Sequence, residues 1–391
     1  MMRFLIITLL SFLLVFLSFD CRAQIIMPRE PVILAWYSLR PPVDTPKGYK
    51  DLRNAGFNYS FSYFNSLDEA EQSLKNAENT SIKVIVSTHE IKHETLTATS
   101  RLKRYKSLAG YHLKDEPSVE EMVELDSIKK LIESNDMTHL CYVNLFPIYA
   151  GGERLGAHDY RQYLYKYYEM LSPSLLSFDH YPIRTDGFRE DYYKNLQLVS
   201  SFCKQKALPF WGFVMSAGYG VFPEPTLAGM SLQAYSNIAY GASGIQYFTY
   251  CSPGPMEFAP INYEGNKTDV YARIVEINHN IKKIYRVLSG VEYDTTYLIG
   301  GIVNGEEEPR SVSINDCKII CNIGKGFLVS NYNRKNKRYM LIVNRNYDSF
   351  QSISLAPERK AKVLFGGKKI IIKREEHFNV SPGSALLIRV F

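Results

Sequence analysis

Leu108-Ala-Gly-Tyr-His-Leu-Lys-Asp-Glu-Pro-Ser118 holds a complete strand-to-helix transition. Residues 108–113 are mostly apolar without strict alternation, the pattern of a parallel strand covered on both faces. Lys114, Asp115 and Glu116 break that run. Pro117 suits the start of a helix, and Ser118 with Glu121 forms a capping box that predicts a helix over 118–134.

The same alternation recurs on both sides of this segment. Strand-length apolar runs lie at 32–38, 57–63, 83–89, 108–113, 140–146, 175–179, 210–215 and 244–250. Between them, 66–78, 158–171 and 226–240 carry helical spacing, and 267–287 reads as a closing helix. Eight such units point to a closed barrel more than to an open doubly wound sheet. Beyond about residue 289 the pattern changes to short alternating segments at 297–303, 326–332, 338–344, 352–355, 362–365, 369–373 and 385–390. Turn residues such as Pro382-Gly383 separate them. The expected fold is therefore α/β: a (β/α)8 TIM barrel over 24–288, followed by a C-terminal antiparallel β-sandwich over 289–391. A chain of 391 residues has room for both.

Residues 1–23 read as a signal peptide, with Arg3 before the apolar run 4–19 and Cys21-Arg22-Ala23 preceding the cleavage point. An exported protein with no transmembrane span after signal removal is the expectation. A lipid anchor on Cys21 is the alternative, but Asp20 and Ser18 stand where lipoprotein signals carry a small residue and leucine. Five cysteines follow the signal, an odd number that argues against a dense disulfide framework. Cys317 and Cys321 are spaced to pair across a turn. The formal charge of +6 is scattered, without an interleaved basic and aromatic stripe, which gives a nucleic-acid partner little support. No Gly-rich loop follows the first strand, and no His/Cys cluster suggests a metal. Oligomeric state leaves no mark on the sequence.

In barrels of this kind the working residues sit at the C-terminal ends of the strands. Those ends carry Trp36 and Tyr37, His89, Asp115 and Glu116, Asn144, then Asp179, His180 and Tyr181, and finally Trp211 and Tyr247. Carboxylates, imidazoles, amides and aromatics in one ring suit a substrate dense in hydroxyls. Glycosidic cleavage needs one carboxylic acid for the leaving oxygen and a second carboxylate across the sugar. Glu116 is the candidate acid, its proton held by burial and by Asp115 beside it. A carboxylate answering the dipole of the following helix is the plainer role for the same residue.

The segment Gly110–Ser118 resembles the Asn-Glu-Pro signature of the superfamily of retaining barrel glycosidases. There the glutamate at the end of strand four is the acid/base. The segments 144–147, 176–182, 239–250 and 380–389 are similar to bacterial family-42-like glycoside hydrolases, and together they cover most of the chain after the signal. The resemblance implies a glycosidase that needs no cofactor and acts on an oligo- or polysaccharide. It also implies a nucleophilic glutamate at the end of strand seven, where this chain has Trp211-Gly-Phe-Val-Met-Ser-Ala-Gly218 and no acid. Asp179, Glu224 and Glu257 are the substitutes, with Asp179 best placed; its plainer role is to orient His180. Cys251 stands where relatives carry tryptophan. A non-catalytic glycan-binding barrel, and a uronate lyase using Arg184, remain the alternatives.

Overall fold

A computed structural model describes residues 24–391 except 253, 255–257, 304, 366 and 367. The signal segment, Cys21 and Glu257 lie outside the described residues.

Eight parallel strands close into a barrel: β1 Val32–Trp36, β2 Tyr59–Tyr63, β3 Lys83–Ser87, β4 Leu108–Asp115, β5 Leu140–Leu145, β6 Leu176–Phe178, β7 Phe210–Met215 and β8 Gly244–Phe248. Alternate residues face inward and outward. Leu34, Trp36, Phe61, Ile85, Tyr142, Phe213 and Met215 fill the interior, while Ile33, Ala35, Val84, Val86, Val214 and Tyr247 pack under the helices. The helices start where the sequence offers caps. Thr45, Ser66, Asp159, Thr226 and Thr268 each accept a backbone N–H of the first turn. The capping box forms as the sequence predicts: Ser118 N–H donates to Glu121 at 2.8 Å and Glu121 N–H to Ser118 Oγ at 3.4 Å. Regular helix begins three residues later than expected, at Glu121–Asn135.

The C-terminal region is a two-sheet sandwich. Its strands are β9 Glu292–Ile299, β10 Ser311–Ile314, β11 Cys317–Cys321, β12 Phe327–Arg334, β13 Lys337–Asn344, β14 Gln351–Pro357, β15 Ala361–Phe365, β16 Lys368–Ile372, β17 Glu376–Val380 and β18 Ala385–Val390. The larger sheet runs β9-β12-β13-β18-β15-β16, with Ile25–Ile26 added beside β9; the smaller runs β10-β11-β14-β17. Val329, Ile342 and Ile388 meet Ile319, Ile353 and Leu355 between the sheets. The outer face of the larger sheet lies on the barrel helix Leu227–Ala239, where Tyr332 donates to Ile238 O and Thr296 to Ala239 O, both at 2.6 Å. Covered on one side by strands and on the other by the sandwich, that helix is buried from Gly229 to Ala239.

One expectation fails here. Cys317 and Cys321 do not face each other across a turn but end the same strand, β11, and both thiols are free. An extended strand of that length holds its ends roughly 13 Å apart, well beyond disulfide reach.

Candidate active site

The strand registers bring four predicted residues together. Asp115 of β4 lies opposite Asn144 of β5, and Asn144 lies opposite Ser177 of β6. Asn144 donates through Nδ2 to Asp115 Oδ1 at 3.1 Å and to Asp179 Oδ1 at 2.9 Å. The orientation of this amide is set from below. Ser177 donates to Asn144 Oδ1 at 2.8 Å, Gln246 donates to Ser177 at 2.8 Å, and Tyr142 donates to Gln246 at 2.6 Å. Every member of this chain is a barrel-interior residue, so the amide cannot turn without breaking a buried network.

Glu116 completes the cluster from an unusual backbone position. Its φ is 49°, in the left-handed region that non-glycine residues rarely adopt, and its N–H donates to Asn144 O at 2.8 Å. Burial, followed by the Asp115 charge, pushes its carboxyl up to about 7, against a smaller downward pull from Arg154 at 3.4 Å. Burial, then Glu116 and Asp115, drives Asp179 well above the carboxylate range, and the Asn144 bond opposes that rise. Asp115 is also raised, by burial first. Three like charges in one cleft cannot all ionise at little cost, so the cluster keeps a proton near neutrality. Serving the helix dipole would lower the Glu116 carboxyl rather than raise it, and Ser118 and Glu121 already perform that capping.

The aromatic residues divide. Tyr37 also has a left-handed backbone, with φ 44°; it is half-buried, packs on Tyr63 and Phe248, and feels the Asp115 charge. Tyr181 is buried beside Phe213, Phe222 and Phe248, close enough to Asp179 to feel its charge. Trp36 is 2% exposed and packs on Phe61, His112, Tyr142 and Phe213, so it is a floor under the cleft rather than an open stacking surface.

Trp211 and Tyr247 are corrections. Trp211 is the second residue of β7, packed on Tyr59 and beside a cavity lined by Val32 and Leu140, the first residues of their strands. It closes the N-terminal end of the barrel, opposite the carboxylates. Tyr247 points outward between strand and helices, fully buried against Phe57. Both errors come from reading a strand's apolar run without fixing which residues face inward and which end the strand.

His89 is exposed as the first residue of the helix His89–His93 and stacks on His93 at 4.0 Å, with no contact to the cluster among the described residues. His180 is buried, and its Nε2 meets Asp191 at 3.0 Å. Asp191, not Asp179, therefore orients that imidazole, which leaves Asp179 free of the structural duty expected for it. Glu224 is held by Arg273 at 2.7 Å. Burial pushes the Cys251 thiol up to about 12, which suits packing and not nucleophilic attack.

Several residues escaped the sequence reading. Tyr63, 45% exposed, ends β2 and senses Asp115; the strand-end rule applied to strand two would have found it. Tyr149, in the turn after β5, senses both Asp179 and Glu116, and the Arg189 guanidinium sits 3.6 Å over its ring. Tyr219, from the loop after β7, also senses Asp179. Nothing in the local sequence marks these two loop residues.

No family model matches the chain, and no curated protein does. Solved structures do. A β-galactosidase from Bacillus circulans sp. alkalophilus superposes with a TM-score of 0.60 at 8% identity, covering 93% of this chain and 99% of that one. A glycoside hydrolase family 5 protein from Bacteroides vulgatus gives 0.57 at 12% identity over 92% and 89%, and an α-L-arabinofuranosidase from Thermotoga maritima gives 0.53 at 10% identity over 94% and 98%. The fold is that of barrel glycoside hydrolases. At such identities the likeness fixes the arrangement of barrel and β-domain and leaves the chemistry to the side chains.

Proposed function

We propose that this chain is an exported glycoside hydrolase that cleaves O-glycosidic bonds by carboxylate catalysis, with Glu116 as general acid and Asp179 as the second carboxylate. The observation that carries this reading is the Glu116 carboxyl. It stands at the end of β4 on a left-handed backbone, raised to about 7 in a cleft it shares with Asp115 and Asp179. A carboxyl with that affinity still holds its proton near neutrality and can give it to the leaving oxygen as the glycosidic C–O bond breaks. Asp179 accepts an amide N–H from Asn144, which favours its ionised form and works against the burial that raises it. Tyr37 and Tyr63 offer ring faces and hydroxyl tips to a sugar. The scheme uses no cofactor. Export rests on Arg3, the apolar run 4–19 and the small residues around Cys21-Arg22-Ala23.

A specific observation also supports a second reading, a glycan-binding barrel without turnover: β7 ends at Met215 and is followed by Ser216 and Ala217, with no acid where the resemblance implies the nucleophile. A lyase has less support, because Arg184, its candidate for holding a uronate, is forked onto Asp186 through two bonds of 2.8 Å.

The deciding experiment is sugar release by residues 24–391 from aryl-glycosides and polysaccharides, run beside Glu116→Gln. Release that falls at least about a hundredfold in the variant supports the assignment. Release that survives the substitution sinks Glu116 as the acid. Binding of glycan without release by the wild type favours the second reading.

A further inference from the structure

The β-domain reaches back toward the barrel mouth at one point. The turn between β13 and β14 is tied by its own side chains: Asn344 Oδ1 accepts Asn346 N–H at 2.9 Å, and Asn346 Oδ1 accepts Asp348 N–H at 2.9 Å and Ser349 N–H at 3.0 Å. Gly383 N–H donates to Asn346 O at 2.8 Å from the neighbouring strand connection. This rigid turn presents Tyr347, half-buried, against Phe188 of the barrel with ring centres 6.1 Å apart and planes inclined by 27°. Phe188 in turn stacks on Tyr193 at 5.7 Å and 26°. Three nearly parallel rings thus bridge the two domains.

Cavities lie on both sides of Tyr347 and Asp348. One, of about 320 Å³, is bounded by Gly187, Phe188, Glu190 and Lys325. The other, of about 360 Å³, is bounded by Ile183, Pro223, Glu224 and Met215, the last residue of β7. The barrel walls of both are loops that also serve the carboxylate cleft. The β6 loop that carries Ile183 and Phe188 also carries Arg189 over Tyr149, and the β7 loop that carries Pro223 also carries Tyr219 beside Asp179. Among the described residues, the side chains of Glu190, Lys325 and Asp348 make no ion pair or hydrogen bond. Arg345 is already taken by Glu308. An aromatic platform with uncommitted donors and acceptors, and without surplus positive charge, suits neutral hydroxylated rings and not anions.

We propose that the Tyr347 turn forms a distal sugar-binding subsite, so that the ligand is an oligosaccharide of neutral sugars running from the carboxylate cleft to the β-domain. This rests on the glycan reading of the cleft but not on turnover there. The β-domain then contributes directly to the ligand site and is more than a buttress.

The test is calorimetric titration of the Glu116→Gln protein, which keeps ligand intact, with hexasaccharides of glucose, xylose, mannose, galactose and arabinose. It is repeated with Tyr347→Ala or with Asp348→Ala added. Thermal melting checks that each variant folds, and Asp348→Ala, at an exposed position, keeps the test alive if the tyrosine change does not. Binding of one hexasaccharide that weakens about tenfold in either variant is expected, with release from an aryl monosaccharide by the corresponding single variants unchanged. Equal binding in both variants, or no binding of any hexasaccharide, overturns the subsite and leaves the glycosidase reading standing. Weakened binding in the variants, in a protein whose wild type releases no sugar, upholds the subsite and removes the glycosidase reading instead.

Discussion

The ends of β4 and β7 face one cleft and are built in opposite ways. β4 runs out into Asp115 and then Glu116, whose left-handed backbone costs on the order of 1–3 kcal/mol. Burial raises both carboxyls, and the Asp115 charge raises Glu116 further. β7 runs out into Met215, Ser216 and Ala217, all buried, with Ser216 Oγ donating to Thr249 O at 2.8 Å. One end stores strain and charge; the other is satisfied packing. Where a barrel keeps strain and like charges together, it is keeping a function that packing would otherwise remove. On the proposed reading, the second carboxylate comes from another strand. Asp179, just beyond β6, is the one the Asn144 amide ties to the β4 end.

Three substitutions break or sharpen that contrast. Glu116→Gln has the largest expected effect, a fall in kcat of about 10²–10⁴-fold with little change in KM, measured on whichever glycoside the wild type cleaves. Asp179→Asn is expected to match it within about tenfold. A mild Asp179 phenotype beside a severe Glu116 one would place the second acid elsewhere. Trp211→Ala tests the far end of the same β7 strand. It should cost about 3–5 kcal/mol of stability in denaturant melts and leave KM unchanged, because the indole plugs the barrel floor. A raised KM at unchanged stability would return Trp211 to the sugar site.

The barrel was legible because each strand announces itself through apolar runs, and each helix through a cap such as Ser118 with Glu121. The carboxylate cluster was legible for a related reason. Asp115, Asn144 and Asp179 sit at or just past strand ends, and the parallel register then places them side by side. Side-chain direction was not legible. Tyr247 lies one residue from the inward-facing Gln246, and that single step in the pleat sends it under the helices. Loop residues were not legible either, since Tyr149 and Tyr219 reach the cleft only through the course of their loops. The strands β10, β11 and β17 were missed because residues such as Cys317–Cys321 alternate weakly and read as a turn.

The smallest effect separates the two neighbours of Glu116. Arg154 lowers its carboxyl and Asp115 raises it, both acting after burial. A general acid works while protonated, so activity should fall as pH rises through about 7, the value burial and Asp115 give the Glu116 carboxyl. Removing the guanidinium in Arg154→Ala should move that alkaline limb to higher pH, and Asp115→Asn should move it to lower pH, each by under about one unit. Stability follows the same proton with the opposite benefit. Because the folded Glu116 binds its proton more tightly than the unfolded one, stability is lost as pH rises from the unfolded value toward the folded one. Glu116→Gln should therefore melt higher than the wild type at pH 8 and no higher at pH 4. Limbs that move together in the two variants, or a Gln protein with no advantage at pH 8, would show that the β4 end is not the strained, charged site that the contrast with β7 requires.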